Sequence, residues 1–91
     1  MEITRNSEKH QFEAVKDGQV AVAQYELRGA QMTITHVIVP AAIEGQGVAS
    51  ALCQFAIETA RAETLTLVPQ CPFMAVYFER HPENNDVLAP F

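Results

Sequence analysis

The first forty residues alternate between apolar and polar positions with the period of β-strands. Phe12 and Ala14 alternate with polar neighbours, which is the pattern of a half-buried strand. The Asp17-Gly18 pair that follows predicts a hairpin turn, because both residue types tolerate positive φ. Strands are predicted on this pattern at residues 10–15, 20–27 and 32–39, with a second reversal at residues 28–30.

The third predicted strand is apolar on both faces near its end. Met32, Ile34 and Ile38 share one face by alternation, and Val37 and Val39 lie on the other. A strand that is apolar on both faces is typical of the centre of a sheet with structure packed on each side. We therefore expect this strand to be central and buried on both faces.

The second half of the chain has helical rather than strand spacing. Between residues 46 and 62 the apolar side chains recur at i, i+4 and i+7, which predicts an amphipathic helix. Residues 65–68 form a short apolar strand, which we expect to lie parallel to the third strand because a crossover helix connects the two. With a second helix at residues 72–80, the order predicts an α+β fold with a mixed sheet, a single domain over residues 1–91.

Composition and charge narrow the class of protein. Hydrophobic residues make up 48% of the 91, enough for a core, and the net charge of −5 disfavours a nucleic-acid partner. No apolar run approaches the roughly 20 residues of a membrane span, and the first residues lack signal-peptide order. Two cysteines in unrelated contexts form no disulfide framework. We expect a soluble cytoplasmic protein without a membrane or nucleic-acid partner, as a monomer or weak homodimer.

A glycine turn precedes the long predicted helix. Gly45 and Gly47 allow a sharp turn and a close approach of the backbone to a ligand. The first N–H groups of a helix have no intrahelical partner, so a strand, a glycine turn and a helix start together form a site for a phosphate or pyrophosphate. No lysine follows, as a P-loop requires, and the third glycine of a dinucleotide fingerprint is missing. By themselves, two glycines between a strand and a helix more often form only a turn.

Two segments resemble a known family. From Pro40 through Ala49, the chain is similar to the acetyl-CoA motif of the GNAT N-acetyltransferase superfamily, Arg/Gln-x-x-Gly-x-Gly/Ala, in which Gly47 and Ala49 match. The block from Cys71 to Pro82 resembles the Cys-Pro-Phe…Tyr…Arg-His-Pro signature of a small, YjdJ-like subgroup. His36 also stands where that subgroup carries a histidine. The resemblance covers residues 35–83.

The resemblance implies a GNAT-like fold and an acetyl-CoA-dependent N-acetyltransferase. Acetyl-CoA would bind between two splayed parallel strands and transfer its acetyl group to a small amine, a lysine or an N-terminus. A CoA-binding module with little or no turnover is the alternative. The residues expected to bind the cofactor are Val37, Ile38, Val39, Gly45, Gln46, Gly47, Val48, Ala49, Ser50 and Arg80.

Glu44 departs from the motif, which has arginine or glutamine at this position. A carboxylate beside a pyrophosphate is a like-charge contact and would weaken CoA binding. Alternatively, Glu44 points to solvent while backbone amides alone hold the phosphates. The sequence leaves both interpretations open.

Three side chains are candidates for the chemistry. Cys71 lies between a predicted strand and a helix start, where a thiolate is stabilised, so it could accept an acetyl group, act as acid or base, or only line the pocket. His36 is either a proton acceptor or a hydrogen-bonded core residue. Tyr77 would donate a proton to the CoA sulfur or pack against the sheet. Cys53 is expected to be a small buried hydrophobe, and no Cys/His pair has zinc-ligand spacing.

Overall fold

The structure is a computed structural model that describes residues 1–90. Its strands and helices follow the predicted order, with one further strand at the beginning. The strands are β1 (Glu2–Asn6), β2 (Gln11–Lys16), β3 (Gln19–Arg28), β4 (Gln31–Ile38) and β5 (Thr66–Pro69). The helices are α1 (Val48–Ala62) and α2 (Pro72–Arg80), and short 3₁₀ turns occur at Ala41–Ile43 and Pro82–Val87. No helix within residues 1–90 is long and apolar enough to cross a lipid bilayer.

The five strands form one mixed sheet in the order β1-β2-β3-β4-β5. Neighbouring strands are antiparallel except β4 and β5, which are parallel and connected by α1, so the predicted mixed sheet is confirmed. The predicted hairpin between β2 and β3 is also confirmed, with φ of +51° at Asp17 and +74° at Gly18. The outer edge of β5 is joined by the chain after α2, where Leu88 forms a bridge with Leu67.

Both helices pack against one face of the sheet. The hydrophobic core lies between them and that face, and α2 contacts α1 as well as β4 and β5. The opposite face carries no helix, and three of its apolar side chains are about half exposed: Val15, Val20 and Ile38. The expectation that β4 is buried on both faces is therefore wrong. Both α-helices described in residues 1–90 pack on the core side, so neither of them covers this face.

A β-bulge at Thr35 explains why alternation failed along β4. Tyr25 pairs with Ile34 and Gln24 pairs with His36, so Thr35 has no residue opposite it on β3. An extra residue reverses which face the following side chains occupy. Met32 and Ile34 are buried, whereas Ile38 is 52% exposed. Val37 and Val39 instead pack against the core, so the predicted shared face of Met32, Ile34 and Ile38 is corrected.

A polar network attaches the chain after α2 to α1. Arg61 donates to both carboxylate oxygens of Asp86, at 2.9 and 2.8 Å, and is also paired with Glu58. The guanidinium of Arg61 lowers the pKa of the Asp86 carboxyl, chiefly by hydrogen bonding. The buried Asn84 lies beside Gln54 of α1, within 3.3 Å. This network fixes the segment whose Leu88 reaches β5.

Candidate functional site

A cleft opens where β4 and β5 separate. The N–H of Cys71 donates to the carbonyl oxygen of Ile34 at 3.0 Å, and among residues 1–90 this is the last backbone hydrogen bond that joins the two strands. Beyond it β4 continues beside β3 alone. The resulting cleft has a volume of about 760 Å³. It is lined by Val37, Ile38, Val39, Ile43, Glu44, Gly45, Gly47, Val48, Ala49, Ser50 and Phe73.

The N-terminus of α1 forms one end of this cleft. Gly47 is the N-cap at φ +79° and Gly45 lies at φ +74°, a left-handed region that costs residues with a Cβ. No side chain caps the helix, and the N–H of Ala51, bonded to the carbonyl of Gly47, is the first to have an intrahelical acceptor. The N–H groups of the first turn are therefore free to bind an anion, which the helix dipole also favours.

The charge of the cleft comes from one side chain. Glu44 is exposed and, within residues 1–90, is the only charged residue that lines the cleft. The protein's basic side chains are absent from that lining, so an anion here would be bound by backbone N–H groups rather than by lysine or arginine. Within residues 1–90, no three side chains of the metal-binding types lie close enough together to hold a metal ion.

Cys71 lies at the point where the two strands separate. It is the N-cap of α2, and its carbonyl accepts a hydrogen bond from the N–H of Ala75 at 3.1 Å. Only 8% of its surface is exposed, and it belongs to the core cluster rather than to the cleft lining. Cys53 is fully enclosed on α1, and burial, with a smaller contribution from Cys71, raises its thiol pKa to about 12. The expectation that Cys53 is a small buried hydrophobe agrees with this position.

Comparison with known proteins identifies the family. The sequence model of the GCN5-related N-acetyl-transferases matches residues 11–87. This chain belongs to the GCN5-related N-acetyltransferase family. Its fold is similar to the solution structure of a GCN5-like protein from Staphylococcus aureus, with a TM-score of 0.77 and 24% sequence identity over 99% of this chain and 89% of the other. Assignment to the YjdJ-like subgroup stays a prediction.

His36 does not join the cleft of this GCN5-related protein. It pairs with Gln24 just after the bulge and is exposed, so the expectation of a core histidine is wrong. Val37 and Val39 point toward the core, which places His36 on the helix-free face of the sheet. Cys71 belongs to the core on the other face. The sheet therefore separates these two side chains.

Tyr77 and Arg80 are also outside the cleft. The hydroxyl of Tyr77 donates to Oε1 of Gln54 at 2.7 Å, which directs it toward α1. Burial is the main cause that raises the pKa of this hydroxyl. Arg80 occupies the exposed last turn of α2, and Gln46 is exposed and does not line the cleft. All the residues predicted to bind the cofactor line the cleft except Gln46 and Arg80. None of the three predicted catalytic side chains lines it.

Sequence reasoning overlooked one apolar residue of the cleft, Ile43. Ile43 belongs to a 3₁₀ turn that has no clear sequence signal. For Phe73 and Phe78 the sequence is consistent with either a core position or a pocket wall; Phe73 lines the cleft and Phe78 is buried.

Proposed function

We propose that this GCN5-related protein is an N-acetyltransferase that uses acetyl-CoA. The observation that carries the proposal is the cleft, which begins where β4 and β5 separate and ends at the uncapped N-terminus of α1. Such a site offers a slot for an extended chain and N–H donors for phosphates at one end. The family match supports the same reaction class.

The chemistry of acetyl-CoA gives each end of the cleft a role. Its pyrophosphate would accept hydrogen bonds from the N–H groups of Val48, Ala49 and Ser50, with Gly45 and Gly47 keeping the approach open. The pantetheine arm would lie along Val37 and beyond, where β4 has backbone groups without a partner strand. The thioester would then be near the point of strand separation, beside Cys71.

Transfer requires an amine to reach the thioester carbonyl. The nitrogen lone pair attacks the carbonyl carbon, the new C–N bond forms, and the C–S bond breaks to release CoA thiolate, which takes up the proton that the amine loses. The protein contributes mainly by aligning the two reactants and by offering a backbone N–H to the oxyanion. Cys71 is the reactive side chain closest to the strand separation, as acetyl carrier or as proton donor and acceptor. The acceptor is a small amine, a lysine or an N-terminus.

A CoA-binding module with little turnover is the second candidate. One observation favours it: in the part of the chain that the structure describes, Glu44 is the only titratable side chain that lines the cleft, and it lies in the glycine turn rather than at the strand separation. The proposed base would then have to be Cys71 or water. We place either function in the cytoplasm, in a single domain over residues 1–91, with no nucleic-acid partner because the net charge is −5.

Calorimetric titration with acetyl-CoA and with CoA tests the binding site. Mass spectrometry of the protein after incubation with acetyl-CoA then asks whether one acetyl group is added, in wild type, Cys71→Ala and the control Cys53→Ala. Binding with an adduct lost only in Cys71→Ala supports transfer through Cys71. Binding without an adduct leaves direct transfer and the binding module, which a screen of amine acceptors separates. If neither ligand binds, the proposed function is wrong.

A further inference from the structure

Phe73 is an exposed aromatic side chain that lines the cleft. It lies in the first turn of α2 and is 43% exposed, whereas Met74 and Phe78 of the same helix are buried. Val76 is equally exposed on the same helix but does not line the cleft. The cleft therefore has one large aromatic group available to a ligand.

The position of Phe73 places it at the acyl end of the proposed ligand. Two residues span at most about 7 Å, so its Cα is within about 7 Å of the Cα of Cys71, where the strands separate. The phosphate end is defined by the N-terminus of α1, which contributes other residues to the same lining. A donor that places its pyrophosphate there extends its thioester toward Phe73.

The cleft that Phe73 lines also carries aliphatic side chains. Val37, Val39 and Ile43 line the same cleft, and among the described residues Glu44 is the one charged side chain that does so. A pocket of this kind accommodates a hydrocarbon group and distinguishes ligands by size rather than by hydrogen bonding. The bulkiest side chain of the lining then determines how long an acyl chain fits.

We infer that Phe73 limits the length of the acyl group, so that the protein binds acetyl-CoA in preference to donors with longer chains. This inference rests on the proposed binding of acetyl-CoA in the cleft. Phe73→Ala replaces the benzyl side chain by a methyl group and frees space beside the thioester, which a butyryl chain would fill. Phe73→Leu removes part of the ring volume and should give an intermediate preference.

The test measures the dissociation constants of acetyl-CoA and butyryl-CoA by calorimetry in wild type, Phe73→Ala, Phe73→Leu and Val76→Ala. In Phe73→Ala we expect the preference for acetyl-CoA over butyryl-CoA to fall about fifteenfold, the worth of burying two further methylene groups. Val76→Ala removes an equally exposed side chain outside the cleft and should keep the wild-type ratio. Because Phe73 is exposed, its replacement should leave the fold intact, which circular dichroism checks.

The outcomes separate the two proposals. If wild type binds neither donor, the proposed function fails and this inference fails with it. If wild type binds acetyl-CoA but the ratio is the same in Phe73→Ala, Phe73→Leu and wild type, only the acyl-length inference is overturned. An equal change in Val76→Ala would also overturn it, because the effect would then belong to α2 as a whole. A graded change confined to the two Phe73 variants supports it.

Discussion

Gly45 and Gly18 offer a matched pair for testing the glycine turn of the cleft. Both residues have φ of +74°, and in both cases a Cβ added to the backbone would meet no atom within 4 Å. They differ in place, because Gly45 lines the cleft and Gly18 lies in the hairpin between β2 and β3. We therefore compare Gly45→Ala with Gly18→Ala.

The two substitutions should cost the same stability. With no steric contact, the cost is that of holding an alanine in the left-handed region, about 1–2 kcal/mol. A loss of 1 kcal/mol lowers the Tm of a domain of this size by about 4–8 °C. Affinity for acetyl-CoA should differ between them, because only the Cβ at Gly45 enters space that the proposed pyrophosphate occupies. Losing one charge-assisted hydrogen bond, about 1.5–3 kcal/mol, weakens binding roughly tenfold or more.

Thermal unfolding measures the loss of stability. Calorimetric titration, at a temperature where both variants are folded, measures the affinity for acetyl-CoA. We expect equal decreases in Tm, wild-type affinity in Gly18→Ala and reduced affinity in Gly45→Ala. Wild-type affinity in Gly45→Ala would falsify the placement of the phosphates. Equal losses of affinity in both variants would show that the effect comes from stability alone.

Two further predictions concern charged side chains. Replacing Glu44 by Gln should tighten acetyl-CoA binding about fivefold, because the repulsion between two unit charges about 4 Å apart costs about 1 kcal/mol in water. The gain in affinity should be smaller in high salt, which screens this repulsion. An unchanged affinity would mean that Glu44 points to solvent. Asp86→Asn should lower the free energy of unfolding at neutral pH. The pKa of Asp86 is lowered in the folded protein, so its contribution is present above its ordinary pKa of 3.8 and is lost as pH falls below that value. The free energies of unfolding of wild type and Asp86→Asn, measured in urea, should therefore become equal in acid. A difference that stays constant down to low pH would show that the Arg61–Asp86 ion pair is not the source of the lost stability.

The sequence predicted the elements whose signals are local. The hairpin at Asp17 and Gly18, the helix α1 and the parallel strand β5 follow from turn chemistry, periodicity and a crossover connection. The strand β1 was missed because its residues are mostly polar and its position is set by pairing with β2. The bulge at Thr35 was missed for a similar reason, since it is defined by a register with β3 that alternation does not reveal.

In the candidate site, too, the features with local sequence signals were predicted and those set by distant contacts were not. Gly45, Gly47 and the helix start after them were predicted to be close together because they are adjacent in sequence, and they line one cleft. The directions of His36 and Tyr77 depend on contacts between distant segments. His36 is turned outward by the bulge, and Tyr77 is engaged by Gln54, 23 positions away. No local pattern carries that information.

The backbone amides of β4 before and after the bulge should exchange their hydrogens with solvent at different rates. Gln31–Ile34 has a partner strand on each side, whereas the residues after Thr35 have β3 on one side and the cleft on the other. Amides of the first half should therefore exchange only through larger openings of the sheet. Amides after Thr35 that face the cleft should exchange rapidly in the free protein and slow when a ligand chain supplies their acceptors. Exchange along this one strand would thus report folding stability and ligand occupancy separately, from neighbouring residues of the same chain.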